Sequence, residues 1–195
     1  GGLPIPYSVD EEHIDLQEFY GLWNATRQRI ADQVGHEVCL EIEPGRFLVA
    51  ECGFLVTQIR SIKTTSEKQF YLVDAGFNNL ARPIMYGAYH PISIAVEEDE
   101  NRQHIDVVVG GPLCESGDIF TQQEGGFVCT RSLPEAQVGD YLVLECAGAY
   151  GSVMGSNYNS KLLAAEVMIQ DGIPHLIRVR QTYDALMADE RVIDA

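Results

Sequence analysis

The run Gly111-Pro112-Leu113-Cys114-Glu115-Ser116-Gly117-Asp118 gathers a thiol, two carboxylates and a hydroxyl into one glycine-bounded loop, just after an apolar stretch. Loops held by a rigid scaffold are where chemistry concentrates. Neighbouring negative charge disfavours a thiolate, so Cys114 suits giving up a proton better than attacking an electrophile. A polar loop around a structural cysteine accounts for the same residues. Glu43-Pro44-Gly45-Arg46 offers a carboxylate, a tight turn with outward amides, and a guanidinium fork that fits a carboxylate or phosphate in two bonds. On these residues alone, an ordinary turn with a surface ion pair is the simpler account.

Three further groups are weaker. Arg82 and Tyr86, four apart in Arg82-Pro83-Ile84-Met85-Tyr86, can both face an acidic ligand, or form a turn with a snorkelling Arg and a packed Tyr. His90 nearby reads as structural. Gly1-Gly2 resembles a phosphate-cradling turn, although Gly-Gly occurs in any loop. Gly148-Ala149-Tyr150-Gly151 sets a tyrosine between glycines that leave room for a ligand at the backbone, or simply form an aromatic corner.

The elements that must position these residues follow from periodicity. Leu16, Phe19, Tyr20, Trp23, Ile30 and Val34 recur at helical spacing, predicting an amphipathic helix over 15–34 that ends at Gly35. A short strand is predicted at 38–42 and a long one at 47–62, with a polar turn at 63–68. Further strands are predicted at 70–73, 107–109 and 141–145, and a hairpin pairs 166–169 with 175–180 about Asp171-Gly172. Only 183–190 reads as a second helix. Many short strands with turn punctuation predict a β-barrel or sandwich. A complete eight-stranded α/β barrel takes about 250 residues and cannot fit beside it.

The chain has 195 residues and a formal net charge of −16. That balance argues against nucleic acid and anionic membrane as partners, because both are bound through an excess of Lys and Arg. The one dense acidic run, 97–100, reads as a solvated loop tip. No apolar stretch reaches the roughly 20 residues that span a bilayer. Five scattered cysteines show no metal-ligand spacing, so no metal site is expected and reduced thiols of a cytoplasmic protein are.

Taken in order, the runs beginning at Gly1-Gly2, Glu43, Val73, Gly111, Gly148 and Ser156 resemble the fold-type III pyridoxal-phosphate-dependent decarboxylases. Among these the chain is most similar to the bacterial diaminopimelate decarboxylase group. The carrying motifs read EPGRFLVA, VDAGFNNL, RPIMY, GPLCESGD, GAYG and SNYNS, and the likeness extends from Gly1 to about Leu186.

The resemblance implies a mainly β fold: a C-terminal barrel or sandwich domain of the alanine racemase/decarboxylase type over 47–195. It is preceded by the last βα unit of a truncated (β/α)8 barrel, over 1–46. It implies pyridoxal 5′-phosphate as cofactor, meso-2,6-diaminopimelate as substrate and L-lysine as product, in a homodimer with active sites at the interface. Gly1 and Gly2 would belong to the glycine turn at the cofactor phosphate, which the amides of Gly45 and Arg46 would also hold. Glu43 would face the ring nitrogen. Arg46, Arg82 and Tyr86 would grip the non-reacting end of the substrate, Glu115 its distal ammonium, and Tyr150 both cofactor and substrate. Cys114, reaching into the neighbouring subunit's site, would donate the proton that follows loss of carbon dioxide.

A substrate with a distal ammonium and a distal carboxylate needs both an acid, as at Glu115, and cationic partners, as at Arg46 and Arg82. A diamine-forming enzyme has no use for the arginines, since a buried unpaired Arg is expensive. The resemblance also places the Schiff-base lysine and a cofactor-stacking histidine before Gly1, so the chain by itself is expected to be inactive. Lys161 stands where the family pattern has Arg. A helix built to pack on a barrel is further expected to leave the chain prone to dimerise or aggregate. Two alternatives remain: a non-catalytic module that pairs with family members as a regulatory partner, and a decarboxylase for another amino acid.

Overall fold

The computed structural model describes residues 2–8, 10–95 and 102–193; Gly1 and the acidic run 97–100 lie outside them. The first helix, α1 (Leu16–Val34), carries a start signal and a stop signal. Asp15 Oδ1 accepts from the N–H groups of Gln17 (2.8 Å) and Glu18 (3.1 Å), satisfying amides that have no partner inside the helix. Gly35, at φ 75°, closes it and donates to the Ala31 carbonyl. The apolar stripe is present but uncovered: Leu16, Tyr20, Trp23, Ile30 and Val34 are exposed, and Ala31 is the helix's one buried residue.

Two expected strands are corrected. Residues 38–42 form no strand, because no described segment pairs with them and a ladder needs a neighbour for its N–H and C=O groups. The long strand expected at 47–62 is instead helix α2 (Gly45–Val49), a turn through Gly53, and strand β1 (Leu55–Thr64). A short apolar run does not by itself choose between helix and strand. Backbone packing with a distant loop decides it here. A Cβ on Gly148 would stand 1.8 Å from the Val49 carbonyl oxygen, and one on Gly53 would stand 2.2 Å from Gly148 Cα. Ala147 N–H donates to Gly53 C=O (2.7 Å) and Gly148 N–H to Ala50 C=O (3.0 Å).

The remaining chain supplies β2 (Gln69–Val73), α3 (Arg82–Tyr86), β3 (Ile92–Ala95), β4 (His104–Gly110), β5 (Gln122–Gln123), β6 (Phe127–Val128), β7 (Arg131–Pro134) and β8 (Tyr141–Leu144). Six strands make one sheet in the order β3-β8-β1-β2-β4-β7, antiparallel except for β2 with β4. Its edge strands β3 and β7 approach each other, so the sheet curls into a nearly closed barrel. Ile59, Tyr71, Val73, Leu80, Val107, Val109, Leu142 and Leu144 fill it. The Tyr71 hydroxyl accepts from Ala136 N–H (2.9 Å), which satisfies the ring's polar end inside that core.

β5 and β6 pair separately, as do β9 (Glu166–Gln170) and β10 (Ile173–Arg178). The latter hairpin turns at Asp171 (φ 52°) and Gly172 (φ 78°), the two left-handed residues its sequence calls for. Of the second predicted helix one turn forms, α4 (Tyr183–Leu186), capped by the Thr182 hydroxyl. The mainly β expectation holds.

Candidate functional site

Three distant pieces of sequence meet beside the barrel. Ile5 and Tyr7 of the opening segment, Ala50 after α2, and Ala149 in the loop after β8 form a second apolar cluster, with Phe47 and Cys146 against it. Burial pushes the Cys146 thiol upward, so it is packing rather than chemistry. The polar groups of the same pieces, Tyr7, Arg46 and Tyr150, are thereby brought together, and α3 adds Arg82.

Both guanidinium groups lie over the same two aromatic rings. Arg46 Cζ is 5.9 Å from the Tyr7 centroid and 5.7 Å from that of Tyr150; Arg82 Cζ is 4.9 Å and 6.0 Å from them. Such contacts favour a cation over a ring face. Neither arginine meets a carboxylate among the described residues, whereas Arg102 pairs with Asp140 and Arg178 with Glu166. Two like charges held together, one of them (Arg82) only 7% exposed, make an anion site by composition.

Tyr150 holds its place in the left-handed region at φ 69°, where a non-glycine residue is strained. Its glycine neighbours leave no room for a ligand at the backbone, contrary to the first of the two sequence readings, and form the corner of the second. Gly148 is filled by the Val49 carbonyl, and a Cβ on Gly151 would stand 2.3 Å from the Ala147 oxygen. They serve backbone packing that fixes Tyr150.

His90 lies behind Arg82. Its Nε2 is 3.0 Å from Arg82 Nη1 and its Nδ1 2.9 Å from the Glu145 carbonyl oxygen. Burial, opposed in part by that carbonyl and aided by the Arg82 charge, lowers its pKa from 6.5 to about 4. A histidine whose folded pKa is depressed stabilises the fold fully above its unfolded value and loses that contribution as pH falls toward the folded one. The wild-type protein is therefore expected to lose up to about 3 kcal/mol relative to His90→Gln between about pH 6.5 and 4. Urea titrations of the two proteins across that window measure it; parallel curves would contradict it.

The thiol loop forms a second group. Cys114 is exposed, and its N–H donates to Asn159 Oδ1 (3.1 Å). Asn159 takes a left-handed conformation (φ 53°), which Asn tolerates better than most residues. The Glu115 carboxylate is held low by the Gly117 N–H first and by the hydroxyls of Ser116 and Tyr158. Tyr158 packs on Phe77 at 4.8 Å between centroids. Asp118 pins this loop to the turn after β2: its oxygens accept from Phe77 N–H (2.7 Å) and Leu113 N–H (2.9 Å). Burial raises its pKa, against those two bonds. A Cβ on Gly76 or Gly111 would strike this carboxylate at 2.9 Å or less.

The two groups are neighbours whose functional side chains do not bond. A Cβ on Gly117 would meet Ile84 Cδ1 at 2.8 Å, so the thiol loop packs on α3, yet no hydrogen bond joins Cys114 or Glu115 to Arg46, Arg82 or Tyr150 among the described residues. Tyr86, at the end of α3, is exposed and does not join Arg82 around Tyr7 and His90. Glu43 and Gly2 are exposed, with Gly2 at φ 102°. A groove of about 470 Å3 between β1 and the segment 161–164 contains none of the predicted site residues.

Tyr7 and His90 are the contacts that sequence reasoning did not assign. Tyr7 lies in the run that begins at Gly1-Gly2, five residues past the second glycine.

Residues 7–148 match the family model "Pyridoxal-dependent decarboxylase, C-terminal sheet domain". The diaminopimelate decarboxylase of Escherichia coli (strain K12) is 56% identical over 193 residues, covering 97% of this chain and 46% of the relative. That of Streptomyces coelicolor is 46% identical over 192 residues, covering 97% of this chain and 44% of the relative. A crystal structure of diaminopimelate decarboxylase superposes with a TM-score of 0.93 at 56% identity, covering 96% of this chain and 45% of the other. The chain thus spans about half the length of the curated relatives it matches.

Proposed function

The chain belongs to the pyridoxal-dependent decarboxylases, through their C-terminal sheet domain, and from that premise we propose that the protein containing it converts meso-2,6-diaminopimelate to L-lysine. The observation that carries the reading is the pair of uncompensated arginines, Arg46 and Arg82, over Tyr7 and Tyr150. A substrate with a carboxylate at its unreacting end, which leaves a basic amino acid, uses two such cations; one that leaves a diamine does not. The diaminopimelate decarboxylase of M. jannaschii, solved with L-lysine and 34% identical at a TM-score of 0.86, favours the same substrate class.

The donor set fits a phosphorylated cofactor beside a carboxylated substrate. Gly45 and Arg46 open α2, so their N–H groups have no acceptor within that helix and would hold phosphate oxygens, with Gly1 and Gly2. Glu43, whose carboxylate is exposed, would keep the ring nitrogen protonated. Pyridoxal phosphate, when bound, supplies an electron sink for the pair left as carbon dioxide departs. Arg46 and Arg82 bind the unreacting carboxylate, Tyr86 would reach it from its exposed position at the end of α3, and Tyr150 bounds the pocket at ring and substrate. Glu115 receives the distal ammonium. Cys114 Sγ–H delivers the proton to the carbon that lost its carboxylate.

Exposed Cys114 and Glu115, bonded to Asn159 and Tyr158 rather than to the arginine group, suit service in the site of a second subunit of a homodimer. Residues 1–46 are read as part of an α/β barrel and 47–195 as the β domain. A cytoplasmic setting belongs to the same reading, supported by five cysteines that stand as free thiols. No helix among the described residues is long and apolar enough to cross a membrane.

The test is turnover by the full-length protein with added cofactor, offered meso-diaminopimelate, ornithine, arginine and lysine in parallel. Carbon dioxide and L-lysine are expected from the first alone. Equal turnover of ornithine would overturn the substrate, and release of no carbon dioxide from any would leave the regulatory module as the better account.

A further inference from the structure

Arg82 is fixed by two neutral acceptors, both on Nη1: the Tyr7 hydroxyl at 3.0 Å and His90 Nε2 at 3.0 Å. A guanidinium only donates, so Nε2 must carry the lone pair. The ring proton then sits on Nδ1 and goes to the Glu145 carbonyl at 2.9 Å. His90 is 2% exposed and set edge-on to Tyr7, with ring centroids 5.5 Å apart, so its orientation is determined on every side. Arg82 Nε and Nη2 bond to no described residue.

A carboxylate at position 90 would restrain the guanidinium more firmly, but it would also cancel the charge. A protonated imidazole would repel it. A neutral acceptor such as this imidazole restrains the group and leaves its charge intact for whatever meets the Nε–Nη2 edge.

We propose that His90 is a positioning residue: its neutral ring orients Arg82 so that the open edge of the guanidinium presents full positive charge to the carboxylate of the bound amino acid. The inference rests on the reading of Arg82 given above and adds the group through which Arg82 is set.

The test uses the full-length protein with its cofactor and two ligands that differ by one carboxylate, L-lysine and 1,5-diaminopentane, titrated calorimetrically. His90→Asn keeps a donor for the Glu145 carbonyl but is too short to reach Arg82. His90→Gln puts an acceptor where Nε2 stood, and His90→Glu restrains Arg82 while neutralising it. Affinity for L-lysine is expected to fall about tenfold in the Asn and Glu variants and to stay within about threefold in the Gln variant. Affinity for diaminopentane is expected to be unchanged in all three. KM for the dicarboxylic substrate should follow L-lysine affinity while kcat holds.

Equal weakening of both ligands would make His90 merely structural and overturn the proposal, as would L-lysine affinity unchanged in His90→Asn and His90→Glu. Arg82→Gln separates the layers. If it abolishes L-lysine binding while the His90 variants do not, only the role of His90 falls. If it leaves L-lysine binding intact, the reading of the site falls, and this inference with it.

Discussion

Replacing Cys114 by Ala in the full-length protein is expected to lower kcat by roughly 10²- to 10⁴-fold with KM nearly unchanged, the signature of a lost general acid. The thiol is the one acidic hydrogen on that loop not committed elsewhere, since the Ser116 hydroxyl and the Gly117 amide both donate to Glu115. Its backbone is anchored by the hydrogen bond from the Cys114 N–H to Asn159 Oδ1, so the alanine variant removes the proton and little of the loop's geometry. Glu115 is a carboxylate held below its usual range and therefore holds no proton to lend near neutral pH. Cys114→Ser supplies a far weaker acid at the same place and should fall between the two. Steady-state release of L-lysine measures this. A fall in kcat under about threefold for the alanine variant would remove the thiol from the proton's path.

What the sequence revealed and what it hid divide along a physical line. Asp15, Gly35 and the Asp171-Gly172 turn act within a few residues, and each does in the fold what its type predicts. The loop around Cys114 was legible for the same reason: its glycines, acids and thiol are contiguous. Where the outcome depended on a remote backbone, local reading failed. Val49 belongs to a helix rather than a strand because Gly148, about a hundred residues on, lets the two main chains touch. The strand at 38–42 had the right residues and no neighbour to pair with. His90 shows a finer failure. A lone histidine on an apolar segment is read as structural, and it is buried as that reading requires, yet the acceptor it offers goes to a cation eight residues away.

Mixing two defective proteins is expected to restore activity that neither has alone. In the proposed dimer, Arg82 serves the site of its own barrel and Cys114 that of its partner. A mixed dimer of Cys114→Ala and Arg82→Gln then holds one site with both defects and one with neither. Random association makes half of the dimers mixed, so the mixture should recover about a quarter of wild-type turnover. The chain's own geometry gives the reason to expect it. The thiol loop packs on α3 through Gly117 and Ile84, close enough for a direct contact, yet Arg82 turns to Tyr7 and His90 while Cys114 stands exposed beside Asn159. Two groups that chemistry requires at one substrate, and that one chain brings near without joining, are best united by a second copy. Co-expression of the two variants with different tags, followed by sequential purification of the mixed dimer, gives a preparation whose turnover should be about half that of wild type. Turnover no higher than the parent variants would place thiol and guanidinium in the same subunit's site.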